Sequence, residues 1–462
     1  MSIFNSNLTR EEIFSLLKDV KCSIRFIGIL GSGMYPLASL LKGRGYAVTG
    51  SDARCDAAYT DRLGIPISPP DGAGWGRVDL AVYSLAIDAS DPEIAYAKSH
   101  GIPLISRAQL LGAIMLGYGS RISVSGSHGK STTTALIEHI LSVAGLSPIA
   151  VSGASLSSGA TYKDGIGDVF VTEACEYKDS FLSLCPTHQI ITSVELDHTD
   201  YFTDLSHIRS SFISAARLAE CVILNRDDPI ALSIAEELLS EGGRRVFTYG
   251  RSVGADYRLH SVRVAGDITY LSISCPDREI TLTTSLIGEF NLYNITAAVA
   301  VSDMLGAQQE AIALAVASFR PIDRRLTLLG RVGERSIYYD YAHHPTEISA
   351  VIDALKERYG ALTVIFRPHT YSRTKSLWRD FIAALSKADF TIILDIYPAR
   401  EKPIVGVDSA RLASEIPGAV YSDAHSAADL AISCGSGAVA LLGAGEVDRV
   451  KADLISYVKK QG

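Results

Sequence analysis

The chain has 462 residues, which at about 150 residues per domain predicts three domains. Hydrophobic residues make up 47% and charged residues 20%, enough to bury large cores and inconsistent with a disordered chain. The 51 acidic residues outnumber the 43 basic ones, and the formal charge of −8 excludes coating of nucleic acid or of an anionic membrane as the main task, while leaving room for a local basic cluster around a phosphate.

Residues Met1 to Leu17 mix Asn, Arg and Glu with apolar residues and lack the n-region and h-region of a signal peptide. A strand, Ser23 to Ile29, then runs into Gly28-Ile29-Leu30-Gly31-Ser32-Gly33-Met34, with a helical run from Leu37 to Lys42. The next strand, Ala47 to Gly50, ends in Ser51-Asp52. Glycines let backbone approach a pyrophosphate, and an acid after the second strand commonly meets a ribose hydroxyl. The spacing is G-x-x-G-x-G rather than G-x-G-x-x-G, so a structural tight turn and a nucleotide-phosphate site both remain open here.

The second strand-to-glycine junction carries the strongest signal. Ile122 to Ser125 leads into Gly126-Ser127-His128-Gly129-Lys130-Ser131-Thr132, and Leu136, Ile137, Ile140 and Leu141 then fall at amphipathic helical spacing. Val124 stands where a full P-loop has its first glycine. A Gly-Lys-Ser turn between strand and helix still predicts ATP: loop amides cradle phosphate oxygens, Lys130 neutralises the β- and γ-phosphates, and the Ser131 hydroxyl meets Mg²⁺. Ser152 to Gly159 reads as a flexible Ser/Gly loop.

Two further strands end in acids, Asp168 to Glu173 and Ile190 to Glu195, the latter followed by Asp197-His198. Ligands of open α/β sheets gather outside the carboxyl ends of strands, so Glu173 and His198 are candidates to meet the metal, with surface or capping roles as the alternative. Mg²⁺ prefers oxygen, which favours Ser131 and Glu173 over His198 as ligands. From Tyr257 to Leu286 the chain alternates around Gly266-Asp267, predicting a small antiparallel meander inserted in the middle α/β unit. A third strand, Ser336 to Tyr341, precedes a helix marked by Ile348, Val351, Ile352 and Leu355, and Leu362 to Phe366 is strand again. Seven cysteines with no CxxC pair, and apolar stretches too short to span a bilayer, predict a reduced, cytoplasmic protein without membrane insertion and without nucleic acid among its partners.

These motifs, in this order, resemble the Mur ligases, the ATP-dependent amide ligases of peptidoglycan precursor synthesis. The resemblance extends through Glu173-Ala174-Cys175-Glu176-Tyr177, Asp197-His198-x-Asp200-Tyr201-Phe202, Gly288-Glu289-Phe290-Asn291-Leu292-Tyr293-Asn294 and Arg324-Arg325. It continues through Tyr339-Asp340-Tyr341-Ala342-His343-His344-Pro345, Phe366-Arg367-Pro368-His369-Thr370-Tyr371-Ser372-Arg373-Thr374, Tyr397-Pro398-Ala399-Arg400-Glu401 and Gly443-Ala444-Gly445. Ser131, Cys175, Phe290 and Thr327 depart from residues frequent in the family: threonine, an acid, histidine and glutamate respectively.

The resemblance implies an α/β fold of three domains: a Rossmann-like UDP-binding domain at 1–117, a central P-loop ATPase domain with the antiparallel insertion at 118–326, and a Rossmann-like amino-acid-binding domain at 327–462. It implies UDP-sugar contacts from Gly28, Gly31, Ser32, Gly33, Met34, Ser51, Asp52 and Ser84. ATP contacts fall to Gly126, Ser127, His128, Gly129, Lys130, Ser131, Thr132, Asn291, Asn294, Arg325 and Asp340, with Asn291 and Asn294 on adenine and Asp340 on ribose. Ser131, Glu173 and His198 are the implied metal ligands, and Lys130, Glu173, His198, His344 and Arg373 the implied catalytic set. The Pro-His-Thr-Tyr-Ser-Arg-Thr motif points to the alanine-adding branch, whose substrates are ATP, UDP-N-acetylmuramate and L-alanine. The alternative is a recycling ligase that adds a tripeptide to the same nucleotide. For His343-His344 a helix-capping role before Pro345, and for Arg373 a solvated helix start, stay open. A monomer and a homodimer are equally compatible with the pattern.

Overall fold

The computed structural model describes residues 8–55, 63–72, 74–198, 201–399, 401–445 and 447–461. The chain divides into two compact units, Met1–Ser285 with Tyr293–Phe319, and Leu286–Leu292 with Arg320–Gly462.

The first unit contains two sheets. In the first, β1 (Ser23–Ile27), β2 (Ala47–Ser51), β3 (Ile67–Ser68), β4 (Leu80–Tyr83) and β5 (Leu104–Ser106) are all parallel, in the order β3-β2-β1-β4-β5. Strands covered by helices on both faces are apolar along their length, and Ile24, Phe26, Ile27 and Leu80 to Tyr83 are accordingly buried. Arg25 interrupts this run and is buried against Glu93, with Nε at 2.9 Å and Nη2 at 2.6 Å from Oε1. The chain doubles back at β1, which pairs with β2 on one side and β4 on the other. A crevice at the carboxyl ends of strands belongs at such a switch point. Gly28, at φ +78°, makes the turn there, and the helix that follows spans Met34–Gly43, starting earlier than Leu37.

The second sheet has β6 (Ser120–Ser125), β7 (Ile149–Val151), β8 (Tyr162–Lys163), β9 (Val169–Glu173), β10 (His188–Ile191), β11 (Cys221–Asn225), β12 (Arg245–Gly250), β13 (Tyr257–Ala265), β14 (Ile268–Ser274) and β15 (Glu279–Thr284). Its order is β15-β14-β13-β12-β11-β10-β6-β9-β7-β8. The expected meander is β13 to β15, with Leu271, Ile273, Ile280 and Leu282 on the buried face. It is continuous with the sheet, because β13 pairs parallel with β12 from Tyr249 opposite Tyr257.

Three local expectations are corrected. The strand expected to reach Glu195 ends at Ile191, because the following backbone leaves the sheet for the glycine-rich loop and a helix cap: Ser193 O accepts from Ser127 N at 2.8 Å, and Val194 N donates to Asp228 Oδ2 at 3.1 Å. The helix Lys130–Val143 is buried on almost every side rather than amphipathic; even Glu138 is buried, accepting from Lys163 Nζ at 2.8 Å and Ser157 Oγ at 2.6 Å. The Ser152 to Gly159 loop is anchored rather than loose: Ser152 donates to Glu173, Ser157 to Glu138, and Leu156 is buried. One apolar cluster runs from Ile13 and Phe26 at the first sheet to Phe170, Phe212 and Leu238 at the second, so both sheets share a core within this unit.

The second unit is a sheet of β16 (Thr327–Val332), β17 (Arg335–Asp340), β18 (Leu362–Phe366), β19 (Phe390–Ile393), β20 (Ala419–Tyr421) and β21 (Ala438–Leu442), ordered β16-β17-β21-β18-β19-β20. Only β16 is antiparallel to its neighbour. Ile348, Val351, Ile352 and Leu355 of helix Pro345–Tyr359 pack on one face, and Val450 and Leu454 of helix Asp448–Gln461 on the other. The carboxyl ends of β17, β18 and β19 bring residues 340–344, 367–373 and 394–397 to one edge. Among the described residues no helix is long and apolar enough to cross a membrane.

Candidate active site

β6 lies between β10 and β9, so their carboxyl ends bring Gly126 to Ser131, residues 192–198 and Glu173 together. Gly126 has φ +135°, and a Cβ there would stand 2.0 Å from Thr192 Oγ1; Gly129 has φ +83°, with Asn294 Oδ1 2.5 Å from its would-be Cβ. The loop is braced by the segment after β10: His128 N donates to Ser193 Oγ at 3.1 Å, Glu195 N to Ser127 Oγ at 2.8 Å, and His128 Nε2 lies 3.4 Å from Glu195 Oε2. The first intrahelical bond is Thr133 N to Gly129 O. The amides of Lys130, Ser131 and Thr132 thus precede the ladder, as at a helix start that receives an anion.

Lys130 Nζ donates to Gly126 O, to Ser127 O at 3.3 Å and to Glu176 Oε1 at 3.0 Å. Burial pulls the pKa of its ammonium down, but Glu176, with Cys175 and Glu173 adding to it, more than offsets this, and the net shift is upward. Ser131 Oγ donates to Glu173 Oε2 at 3.0 Å, while Glu173 Oε1 accepts from Gly153 N at 3.0 Å and from Ser152 Oγ. The Ser131 and Glu173 donors are all oxygen, matching the preference of Mg²⁺. His198 Nε2 is 3.8 Å from Glu176 Oε1, and its ring packs on Tyr177 with centroids 4.9 Å apart. Asp200 and Arg400 lie outside the described residues.

A cavity of about 440 Å³ joins this loop to the glycine turn of the first sheet. Gly31, Ser32, Gly33, Met34 and Ser84 line it from one side, and Lys130, Ser152, Glu173 and Cys175 from the other. Gly28, Ser51 and Asp52 do not line it. Gly28 is the tight turn itself. Ser51 is buried and donates to Glu93, so it serves the Arg25 ion pair. Asp52 Oδ2 accepts from Leu30 N at 3.0 Å and so braces the glycine turn from outside the cavity.

In the second unit, Asn291 Nδ2 donates to Ile287 O at 2.8 Å, whereas Asn294, in the first unit, accepts from Thr133 Oγ1 at 3.2 Å. Asp340 is a buried clamp rather than an open carboxylate. Its oxygens accept from Leu326 N at 2.6 Å and Ala342 N at 2.7 Å, fixing a turn in which Arg324 and Leu326 have positive φ. Burial pushes its carboxyl up to about 6, with the Arg325 guanidinium acting the other way. The guanidinium of Arg325 lies 5.6 Å from the Tyr341 ring. His344 caps helix Pro345–Tyr359, reciprocally with Glu347, as the capping alternative predicts. Arg373 Nη1 reaches His369 Nδ1 at 3.2 Å. His369 stacks on Tyr397 with centroids 5.6 Å apart, and burial, aided by His343 and Arg373, pushes it down to about 4.

Four neighbours of these groups escaped the motif reading: Arg107, Ser152, Glu176 and His369. Arg107 lines the cavity with its Cδ 3.0 Å from a would-be Gly33 Cβ, and only its place after β5 signals it. Glu176 and His369 stand inside recognised motifs, where their charge and ring chemistry were the available signal.

The family comparisons agree with this geometry. Models of the Mur ligase family catalytic domain, the Mur ligase middle domain and the Mur ligase glutamate ligase domain match residues 23–118, 124–302 and 324–445. The chain is 36% identical over 452 residues to the UDP-N-acetylmuramate–L-alanine ligase of Lachnospira eligens, covering 94% of this chain and 97% of that protein. It is 38% identical over 409 residues to the ligase of the same name from Thermobifida fusca, covering 85% and 86%. Its fold matches the solved UDP-N-acetylmuramate–alanine ligase of Thermotoga maritima with a TM-score of 0.80 at 24% identity, over 95% of this chain and 100% of that one. It matches a murein peptide ligase of Psychrobacter arcticus with a TM-score of 0.69 at 21% identity, over 95% and 98%. The chain belongs to the Mur ligase family and is an ATP-dependent ligase.

Proposed function

We propose that the chain joins L-alanine to the lactyl carboxylate of UDP-N-acetylmuramate, in the cytoplasm, with domains at 1–117, 118–326 and 327–462. The observation that carries this reading is the single cavity lined by Ser32, Gly33 and Ser84 on one side and Lys130 and Glu173 on the other. A sugar nucleotide on the first sheet's glycine turn can there present its acid to a phosphate on the second.

A carboxylate is a poor electrophile, and it must approach a polyanion. One carboxylate oxygen attacks the γ-phosphorus, ADP departs, and an acyl phosphate forms. The alanine amine then attacks the carbonyl carbon, and inorganic phosphate leaves with the original carboxylate oxygen. Lys130 and the amides at the start of helix Lys130–Val143 stabilise charge on the transferring group. Ser131 and Glu173 are the proposed holders of Mg²⁺, which would neutralise phosphate charge, with His198 as a further candidate ligand. Arg373, steadied by His369, takes the alanine carboxylate by a charge-assisted hydrogen bond, with His344 as a further candidate contact for the amino acid.

The test is phosphate release from ATP and UDP-N-acetylmuramate with L-alanine, L-serine, glycine or the L-alanyl-γ-D-glutamyl-diaminopimelate tripeptide as acceptor. L-Alanine is expected to give the highest kcat/KM. A preference for the tripeptide replaces this reading with the recycling one.

A further inference from the structure

We propose that Glu176 is the positioning residue for the P-loop lysine: it keeps hold of the Lys130 ammonium by one N–H and leaves the other two for phosphate oxygens. The inference rests on the reading of Lys130 as the phosphate-binding cation.

The Glu176 side chain is 1% exposed. Its Oε1 accepts from Lys130 Nζ at 3.0 Å, and its Oε2 is buried without a hydrogen-bond partner among the described residues. An ammonium has three donors. Those of Lys130 go to one carboxylate and to two neutral carbonyls, Gly126 O and Ser127 O. Incoming phosphate oxygens replace acceptors in order of cost. Giving up a carbonyl for an anionic oxygen is favourable, whereas giving up Glu176 strands a buried carboxylate whose second oxygen is already unpartnered. The ion pair therefore persists as the lysine turns to its substrate.

The backbone supplies an independent observation. One residue beyond Glu176, after Tyr177, Lys178 (φ 51°, ψ 37°) and Asp179 (φ 55°, ψ 27°) both occupy the left-handed region, which non-glycine residues adopt at a cost. Asp179 is fixed there by Tyr201 Oη at 2.6 Å, by Ser211 Oγ, and by its own N–H to Glu176 O at 3.0 Å. Such strain persists only where the surroundings over-determine it, and here it turns the chain back immediately after the carboxylate beneath the loop.

The experiment compares wild type, Glu176→Gln and Glu176→Ala. Glutamine is isosteric and retains a neutral acceptor. The expected fall in kcat is about 100-fold for alanine, the scale of a misplaced catalytic group. It is about tenfold for glutamine, because a neutral hydrogen bond is roughly half as strong as a charge-assisted one. Affinity for a non-hydrolysable ATP analogue should stay within about threefold of wild type in Glu176→Gln, since the glutamine carbonyl still holds the ammonium. An unchanged kcat in Glu176→Ala overturns the proposal. So does tenfold tighter analogue binding in Glu176→Gln, which would make Glu176 a lock rather than a guide. Equal loss in both variants, in step with lower melting temperatures, reduces Glu176 to a structural part and also overturns it. The acetylation rate of Lys130 by acetic anhydride, read by mass spectrometry without substrate, is independent of which carboxylate and amine the enzyme joins. It should rise at least about fivefold in Glu176→Ala as the ammonium loses its carboxylate, and an unchanged rate overturns the proposal even where the assigned substrates prove wrong.

Discussion

Replacing Lys130 by alanine perturbs two things at once, and the structure separates them. The ammonium is hydrogen-bonded to a carboxylate whose side chain is 1% exposed, while the lysine side chain itself is 19% exposed. Removing one partner of a buried pair costs about 3–5 kcal/mol, because the other charge is left uncompensated. The partial exposure of the lysine places Lys130→Ala near the lower end, about 3 kcal/mol. That is a large share of the ~5–15 kcal/mol that holds a typical protein folded. The double variant Lys130→Ala/Glu176→Gln removes the stranded charge and should recover most of the loss in urea denaturation. Turnover should not recover in either protein. Loss of one preorganised charge-stabilising group costs about 3–4 kcal/mol at the transition state, or roughly a hundred- to a thousand-fold in phosphate release. Single and double variants of equal stability, within about 0.5 kcal/mol, would show that the two residues do not couple and would refute the burial argument. Wild-type turnover in Lys130→Ala would remove the loop from the chemistry.

The remaining predictions concern a ring and a glycine. His369 is pushed down to about 4 by burial, with His343 and Arg373 adding to it, whereas in an unfolded chain it titrates near 6.5. The unfolded state therefore binds the extra proton first as pH falls, and stability is full above about 6.5 and lost progressively toward about 4. Between pH 7 and pH 4.5 wild type should lose about 2–3 kcal/mol more than His369→Gln in urea melts; parallel pH profiles would refute it. Gly126→Ala combines a φ of +135° with a Cβ 2.0 Å from Thr192 Oγ1, whereas Gly145→Ala at φ +81° meets nothing within 4 Å. Gly145→Ala should cost about 1–2 kcal/mol from backbone strain alone. Gly126→Ala should cost more and weaken ATP-analogue binding at least about tenfold, by displacing the phosphate amides. Equal melting temperatures for the two variants would contradict the steric account.

What could be read from the sequence was local. The period of apolar residues located β1, β6, β17 and β18 within a residue or two, and the Gly-Lys-Ser turn marked the junction between β6 and helix Lys130–Val143. Switch-point topology then placed Glu173 beside Ser131. What escaped depends on pairings between residues remote in sequence. Glu176 meets Lys130 across 46 positions, and Ser152 meets Glu173 across 21. A serine-glycine tract has the composition of a flexible loop whether or not a distant carboxylate ties it down. The strand-end position of Ser51 likewise does not reveal that its hydroxyl donates to Glu93 of the buried Arg25–Glu93 pair, 42 positions away. His344 carries both its capping bond and its proposed place near the amino acid, so neither reading displaces the other.

The most direct test of carboxylate activation follows an oxygen atom. UDP-N-acetylmuramate labelled with ¹⁸O in the lactyl carboxylate is turned over with unlabelled ATP and L-alanine, and the phosphate and nucleotide products are weighed by mass spectrometry. The account predicts ADP together with inorganic phosphate that carries the label. Label in AMP, or phosphate free of label while the amide forms, would contradict it.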